Sequence, residues 1–293
     1  MAGRRSRPVR DTADPRTGSG MNTDHDTRCN LCGGTEFSDV KLRKNAKCRS
    51  CGAAERTRLL WMYLQRLDLT SESRVLHMAP EKGLYMAIKN RLQSAEPRNY
   101  VCADFNPGRY KHLDNVEKLN LCDLDDQNSE QYDLIIHSHV MEHVPCNIAY
   151  SLFHLHRMLK PKGRHVCVIP FLPGWYDECF KQIGREERTR RFGQHDHVRR
   201  FGTEDIDRHL GALLRLPPKF DAREDFGEER LRQANIPESA WYGFTIHTVL
   251  VLGKYDKKLL LPREGRTGEG ETEWQQDGIT MHTSIRPEQS DSV

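Results

Sequence analysis

Four cysteines carry the clearest chemistry in this chain. Two residues separate Cys29 from Cys32, two separate Cys48 from Cys51, and fifteen lie between the pairs. Each Cys-x2-Cys turn points two thiolates at one place, and two such turns complete a tetrahedral metal site with no open position. Gly33, Gly34 and Gly52 follow the second cysteine of each pair, where a tight knuckle needs positive φ. The spacing predicts a structural zinc ribbon with Cys29, Cys32, Cys48 and Cys51 as ligands; redox dithiols and free thiols are the alternatives. Such a ribbon either holds a partner or staples a segment too short for its own core. The other five cysteines, Cys102, Cys122, Cys146, Cys167 and Cys179, read as small core residues.

A second set of residues sits where apolar runs end. The loop Met78-Ala79-Pro80-Glu81-Lys82-Gly83 leaves a short apolar run and opens a helical pattern, whose first amides can face a polar ligand. It is not Gly-x-Gly-x-x-Gly, since only Gly83 is present. Asp104 closes the next apolar run about 20 residues on, where Rossmann-like folds place an acid for ribose hydroxyls. Asp123, in Asn120–Leu124, is an acid able to accept from an exocyclic amine. His139-Val140-Met141-Glu142-His143 spells His-x-x-Glu-His, an inverted metalloprotease signature. That chemistry needs a helix through both histidines, whereas here the letters follow a strand-like run.

Further on, residues 181–202 are dense in Arg and His. His195, Asp196, His197 and Arg199 are placed to lid an acceptor pocket, and a His oriented by an Asp is a suitable base near neutral pH. Arg185, Arg190 and Arg199 are candidates for holding a carboxylate or phosphate in bidentate fashion. The bland alternative is a solvated basic loop whose histidines pack on the sheet. Trp175, Tyr176 and Trp241 could equally stack a ring or fill a core.

The elements that must position these groups alternate. Arg74–Met78, Asn99–Ala103, Val116–Leu121, Tyr132–His137 and Arg164–Pro170 read as strands; Leu84–Leu92 and Ile148–Leu159 as helices, the latter ended by Lys160-Pro161-Lys162-Gly163. Asp205–Leu214 reads as a helix and Phe244–Leu252 as a late edge strand. The predicted class is α/β: a Rossmann-like, mostly parallel sheet with helices on both faces, plus the small N-terminal zinc ribbon. The expected organisation is a disordered leader (1–27), the ribbon (28–53), a linking helix (54–73), the α/β domain (74–254) and a disordered tail (255–293).

In order and spacing, RVLHMAPEKG, VCADFNP, NLCDL, YDLIIHSHVMEHV and MLKPKGRHVCVIP resemble a class I S-adenosylmethionine-dependent methyltransferase, most like the type 11 kind, over about residues 74–170. The resemblance implies that Ala79, Pro80, Glu81 and Gly83 approach the methionine part of the cofactor. It places Asp104 and Phe105 at the ribose, Asp123 and Leu124 at the adenine, and His139 between cofactor and acceptor. His139, His195 and His197 become the catalytic candidates. The first loop departs from the family's acidic-x-Gly-x-Gly: His77 stands for the acid, and Glu81 is its possible replacement.

With 293 residues, there is room for one α/β domain and a small module. The net charge is 45 − 42 = +3, which does not suggest a general nucleic-acid coat. No apolar run approaches the roughly 18–20 residues that span a bilayer, and no apolar stretch marks a secretory signal, so the cytoplasm is expected and no membrane partner. The favoured function is methyl transfer, to O or N, from S-adenosylmethionine to a small-molecule or glycan-like acceptor. RNA is the alternative acceptor, gripped by the ribbon, although the ribbon offers few basic and aromatic residues. A non-catalytic ribbon protein with a degenerate cofactor fold is the third reading. The oligomeric state is not legible.

Overall fold

A computed structural model describes residues 27–93, 97–113 and 115–258, together with the backbone of 272–276 and 279–283. Gly33 and Gly52 take φ of +76° and +78° as each knuckle closes. There Gly33 N–H donates to Cys29 O (2.7 Å) and Gly52 N–H to Cys48 O (2.9 Å). Between the knuckles lies an antiparallel hairpin, β1 (Phe37–Val40) and β2 (Arg43–Cys48).

The linking helix α1 (Glu55–Gln65) is buried from Thr57 to Leu64 without interruption. It is therefore no one-sided surface helix. Leu59, Leu60 and Leu64 share one core with the sheet residues Val75, Leu134 and Val166 and with Phe220, Phe226 and Trp241. Tyr63 meets Phe226 edge to face, with ring centroids 4.8 Å apart.

The main sheet contains β3 (Val75–Met78), β4 (Tyr100–Asp104), β5 (Val116–Lys118), β6 (Tyr132–Ser138), β7 (Leu159–Val168) and, at its edge, β11 (Val249–Gly253). Its order is β11-β7-β6-β3-β4-β5, parallel throughout except for β11, which runs antiparallel to β7. From β3 the chain steps to β4 on one side and later to β6 on the other, which opens a crevice at the C-terminal end of β3. Along β6, Leu134 and Ile136 face the α1 side with α2 (Lys82–Leu92), and Ile135 faces α3 (Ile148–Met158). Helices thus cover both faces. The Lys160–Gly163 stretch does not merely stop α3; it is already strand, and Gly163 lies where a Cβ would come 2.8 Å from Tyr132 O.

Residues 171–202, which carry no periodic signal, form elements of their own. β8 (Phe171–Leu172), β9 (Asp177–Glu178) and β10 (Arg199–Gly202) form a second sheet in the order β8-β10-β9, and α4 (Arg185–Phe192) precedes β10. The residues expected to start the tail, 255–258, belong to this unit: a 3-10 turn spans Lys254–Asp256, and Lys258 N–H donates to Leu213 O. In a separate unit, β12 (Thr272–Gln276) pairs antiparallel with β13 (Ile279–Thr283). Residues 1–26 of the expected leader and the rest of the expected tail lie outside the described residues. Among the described residues, no helix is long and apolar enough to cross a membrane.

Three sheet histidines are fully buried. His77 bonds Tyr100 Oη at 2.8 Å, His165 Nδ1 meets His156 Nε2 at 3.2 Å, and both ring nitrogens of His137 lack a partner. Burial pulls His77 and His137 down to about 3, and His156 to about 4. These rings stay neutral in the fold while the unfolded chain takes protons near 6.5. Their contribution is complete above that pH and is lost as pH falls toward 3 to 4, at about 1.4 kcal/mol per pH unit per ring. Thermal melting from pH 7.5 to 5 should therefore show a steep acid-side fall. His137→Leu should flatten it by about 2 kcal/mol at pH 5; an unchanged slope would refute this account.

Candidate functional site

The crevice beyond β3 holds a cavity of about 710 Å³, within the usual range for a small-ligand site. One wall comes from the ends of β3 and β4: Met78, Ala79, Ala103, Asp104 and Phe105, followed by Asn106, Arg109 and Tyr110. A second is Leu119–Cys122. The third is His139, Val140, His143, Val144 and Pro145, with Asp196 reaching over from the second sheet's segment.

Asp104 is aimed, not merely present. Its carboxylate accepts from Asn106 N–H (2.7 Å) and Tyr110 Oη (2.8 Å), leaving further lone pairs for a diol. Burial and the adjoining Asp104 carboxylate push the Tyr110 phenol well up, so it remains a donor. Phe105 is 67% exposed although it is large and apolar, and it lines the cavity. Two non-glycine residues at the rim hold left-handed backbone: Ala79 at φ +49° and His139 at φ +55°. Each costs of order 1–2 kcal/mol, and strain of this kind gathers at ligand sites. Ala79 N–H is tied to Ala103 O (2.8 Å), which fixes the loop against β4.

The rest of the first loop serves another purpose. Pro80 is buried and does not line the cavity. Glu81 turns toward α1, where Arg56 pairs with it at 2.5 Å and Thr57 Oγ1 donates to it. Gly83 lies under the cysteine module: a Cβ there would meet Cys51 O at 3.0 Å and Cys51 Sγ at 3.2 Å. Its small size permits helix and module to touch. Of the residues expected at an adenine, Asp123 is exposed and outside the cavity wall, and Leu124 is fully buried with its N–H donated to Tyr150 Oη. Asn120, Leu121 and Cys122 line the wall in their place.

The histidines also sort differently from expectation. His139 lines the cavity, but Nε2 donates to Ile246 O (2.9 Å), and burial, with Arg56 nearby, pulls its pKa down to about 3. That makes it a weaker base than an ordinary imidazole. His195 is exposed and off the wall. His197 is buried, with Nδ1 bonded to Phe192 O (2.9 Å). His143 also lines the cavity, and its Nδ1 lies 3.2 Å from Asp196 O and 3.7 Å from Asp196 Oδ2. Beside it Glu142 is buried, which pushes its carboxyl up to about 8. Met141–His143 form a 3-10 turn, so the helix demanded by the metalloprotease signature is absent there.

None of the three arginine candidates lines the cavity. Arg199 is fully buried and donates to Met141 O and Cys146 O, each at 2.6 Å. Arg190 pairs with Glu187 on α4, and Arg185 is exposed. Trp241 is core, Trp175 is exposed, and Tyr176 stacks on His209 at 4.3 Å. Cys122 and Cys146 are not separate core residues: they form a disulfide beside the crevice, with Cα atoms 5.7 Å apart as the Leu121 turn meets the Pro145 segment. Cys102 and Cys167 are buried as expected, and Cys179 is partly exposed.

The four module cysteines converge. Cys29 and Cys51 sulfurs are 3.6 Å apart, as are those of Cys32 and Cys48, and all four lie within 4.8 Å of one another. A zinc tetrahedron with bonds near 2.3 Å has edges of about 3.8 Å, so the set fits such an ion. The Cys51 thiol, donating to Cys29, draws the Cys29 pKa down to about 5, so one thiolate already forms readily.

No family model matches the chain, and neither does any curated protein. Solved structures similar to it include the YcgJ protein from Bacillus subtilis, at 16% identity and a TM-score of 0.38, covering 62% of this chain and 79% of that one. An S-adenosylmethionine-dependent methyltransferase from Mesorhizobium loti is similar at 17% identity and TM-score 0.32, covering 44% and 61%. The trans-methyltransferase CalH, in complex with S-adenosylhomocysteine, is similar at 22% and 0.27, covering 41% and 37%. This chain thus spans less than two thirds of the latter two. At such identities and TM-scores, the functional reading rests on the geometry of the crevice.

The Gly83 contact is testable. Gly83→Ala should lower stability by about 1–3 kcal/mol through overpacking against Cys51. Gly184→Ala, with nothing within 4 Å of the added carbon, is the control. Equal melting temperatures for the two variants would show that module and helix do not depend on this approach.

Proposed function

We propose that the chain is an S-adenosylmethionine-dependent methyltransferase whose acceptor is a small molecule, methylated on O or N. The observation that carries the reading is Asp104. It ends the strand beside the switch point, is oriented by Asn106 and Tyr110, and faces the cavity. An oriented carboxylate there suits a ribose diol, and the exposed Phe105 ring beside it suits a purine face. The strained Ala79 backbone brings the loop after β3 close to the same ligand.

When bound, the cofactor supplies an electrophilic methyl on a sulfonium. Asp104, Phe105 and the loop at Ala79 would hold it, with that methyl available to an acceptor lone pair. What the chain must add is alignment and a place for the acceptor's proton. His139 holds the shared wall as a neutral ring. His143, with its Nδ1 close to Asp196, is the imidazole at the acceptor side. The four cysteines, holding zinc, act as a staple: none of them lines the cavity, and Cys51 abuts α2. That placement favours a small acceptor over an RNA gripped by the ribbon.

Calorimetric titration with S-adenosylmethionine and S-adenosylhomocysteine should give micromolar binding. Asp104→Ala should weaken it by about tenfold or more, from the loss of charge-assisted hydrogen bonds. Absence of binding to either ligand by folded protein would sink the enzyme reading and leave a ribbon-bearing interaction protein.

A further inference from the structure

Glu142 is 1% exposed, and neither of its carboxylate oxygens has a hydrogen-bond partner. His197 is 5% exposed, and its Nε2 is likewise without one. An orphaned carboxyl group and an orphaned imidazole nitrogen in one buried place are costly unless a shared proton or a metal cation satisfies them. His143 completes the group: its ring meets that of His197 edge to face, with centroids 4.7 Å apart. One ligand atom from each of Glu142, His143 and His197 falls within 4.8 Å of the others.

The hydrogen bonds at the rings' other ends settle which atoms are available. His197 Nδ1 lies 2.9 Å from Phe192 O, and His143 Nδ1 lies 3.2 Å from Asp196 O. A carbonyl only accepts, so each Nδ1 carries a hydrogen, and Nε2 is the atom each ring has left to offer a ligand. His139 obeys the same rule: Nε2 donates to Ile246 O, and its lone-pair Nδ1 stands 3.5 Å from Glu142 Oε1. Glu142 thus stands among ring nitrogens whose opposite ends are fixed by outer carbonyls, which is the pattern of imidazole ligands around a metal.

We propose that Glu142, His143 and His197 form a divalent transition-metal site on the acceptor wall, separate from the four-cysteine module. Two imidazoles and one carboxylate suit Zn2+, Fe2+, Mn2+ or Co2+ and leave coordination positions open. Bonds of about 2.0–2.2 Å require the three atoms to close by less than about an ångström. The ligands come from two segments already fastened together: Val198 N–H donates to Glu142 O (2.9 Å), and Arg199 grips the carbonyls on either side of Glu142 and His143. His143 is also a cavity-lining residue, so the open positions face the acceptor. The ligand class is an oxygen donor such as a hydroxyl, which binds as its anion after its proton passes to water. Only this last step rests on the methyltransferase reading.

The test uses the full chain, stripped with a chelator and titrated with Co2+ in the absence of any methyl donor. Its failure is thus distinct from failure to bind S-adenosylmethionine. Two equivalents should bind. One should give the intense thiolate-to-metal absorption of the cysteine site and vanish in Cys48→Ser. The other should give only weak visible bands and persist in that variant. His143→Ala, at a partly exposed position, and Glu142→Gln, which keeps the shape of the buried side chain, should each weaken the second equivalent by about tenfold or more. The cysteine equivalent should remain. A single equivalent lost entirely in Cys48→Ser, or a second equivalent indifferent to both wall variants, would overturn the proposal.

Discussion

One buried guanidinium organises the molecule. Arg58, fully enclosed in the middle of α1, donates to Ala46 O (3.1 Å) and Ala53 O (2.9 Å) in the cysteine module, and to Ala234 O (2.9 Å) and Asn235 O (2.5 Å) near the chain's far end. Burying such a charge is costly unless it is both hydrogen-bonded and compensated. Four backbone carbonyls supply the first requirement. The second comes from the module: Cys29, Cys48, Cys51 and Glu55 all favour the charged arginine, partly offsetting its desolvation. Four thiolates about a divalent ion carry two net negative charges, so a filled module and a charged Arg58 support one another. That mutual dependence explains how a ribbon of some 25 residues, with a core of little more than Cys29, Cys48 and Ala53, stays attached to a large domain.

The same helix transmits this constraint to the crevice. Two residues before Arg58, Arg56 spans from Glu81, in the loop after β3, to Ser138 Oγ at the end of β6 (3.2 Å). Thr57 adds a second hold on Glu81. The loop is thereby fixed from behind, leaving Ala79 as the residue that turns, in left-handed backbone, toward the cavity. A glycine-rich loop reaches such a conformation by its own freedom; here external struts impose it on an alanine. The departure from the family's glycine pattern and the buried α1 are thus two sides of one arrangement.

What the sequence disclosed follows from period and spacing. Apolar runs located the strands of the main sheet, the Cys-x2-Cys pairs located the module, and the position of Asp104 after its run placed it at the crevice. Hidden were the features that depend on contact between distant segments. Arg58 looks like an ordinary helix arginine until its partners at 46 and 235 are known. Gly83 and Glu81 carry loop-like letters, yet the module and α1 claim them. Tyr110 orients Asp104 from six residues away, in a turn with no periodic signal. His195 and His197 looked alike as neighbours in a basic stretch, but the turn before β10 buries His197 against Phe192 and His143 and leaves His195 exposed. Cys122 and Cys146 lie 24 residues apart, and only the meeting of two turns pairs them.

Arg199 repeats, on the acceptor side, the logic of Arg58. It too is fully buried and satisfied by carbonyls, those of Met141 and Cys146, with Glu178 3.4 Å from its Nε. Between those carbonyls runs the turn that carries Glu142 and His143. Arg58 thus seats α1, whose Arg56 fastens the loop after β3, and Arg199 of β10 fastens the opposite wall of the crevice. An arginine suits both tasks because its planar fork reaches several carbonyls at once without losing its charge. The consequence is that the polar groups facing the crevice need not satisfy each other. Asp104 keeps lone pairs free, Glu142 keeps two oxygens unpartnered and His197 keeps a bare nitrogen, because the backbone around them is already fastened elsewhere.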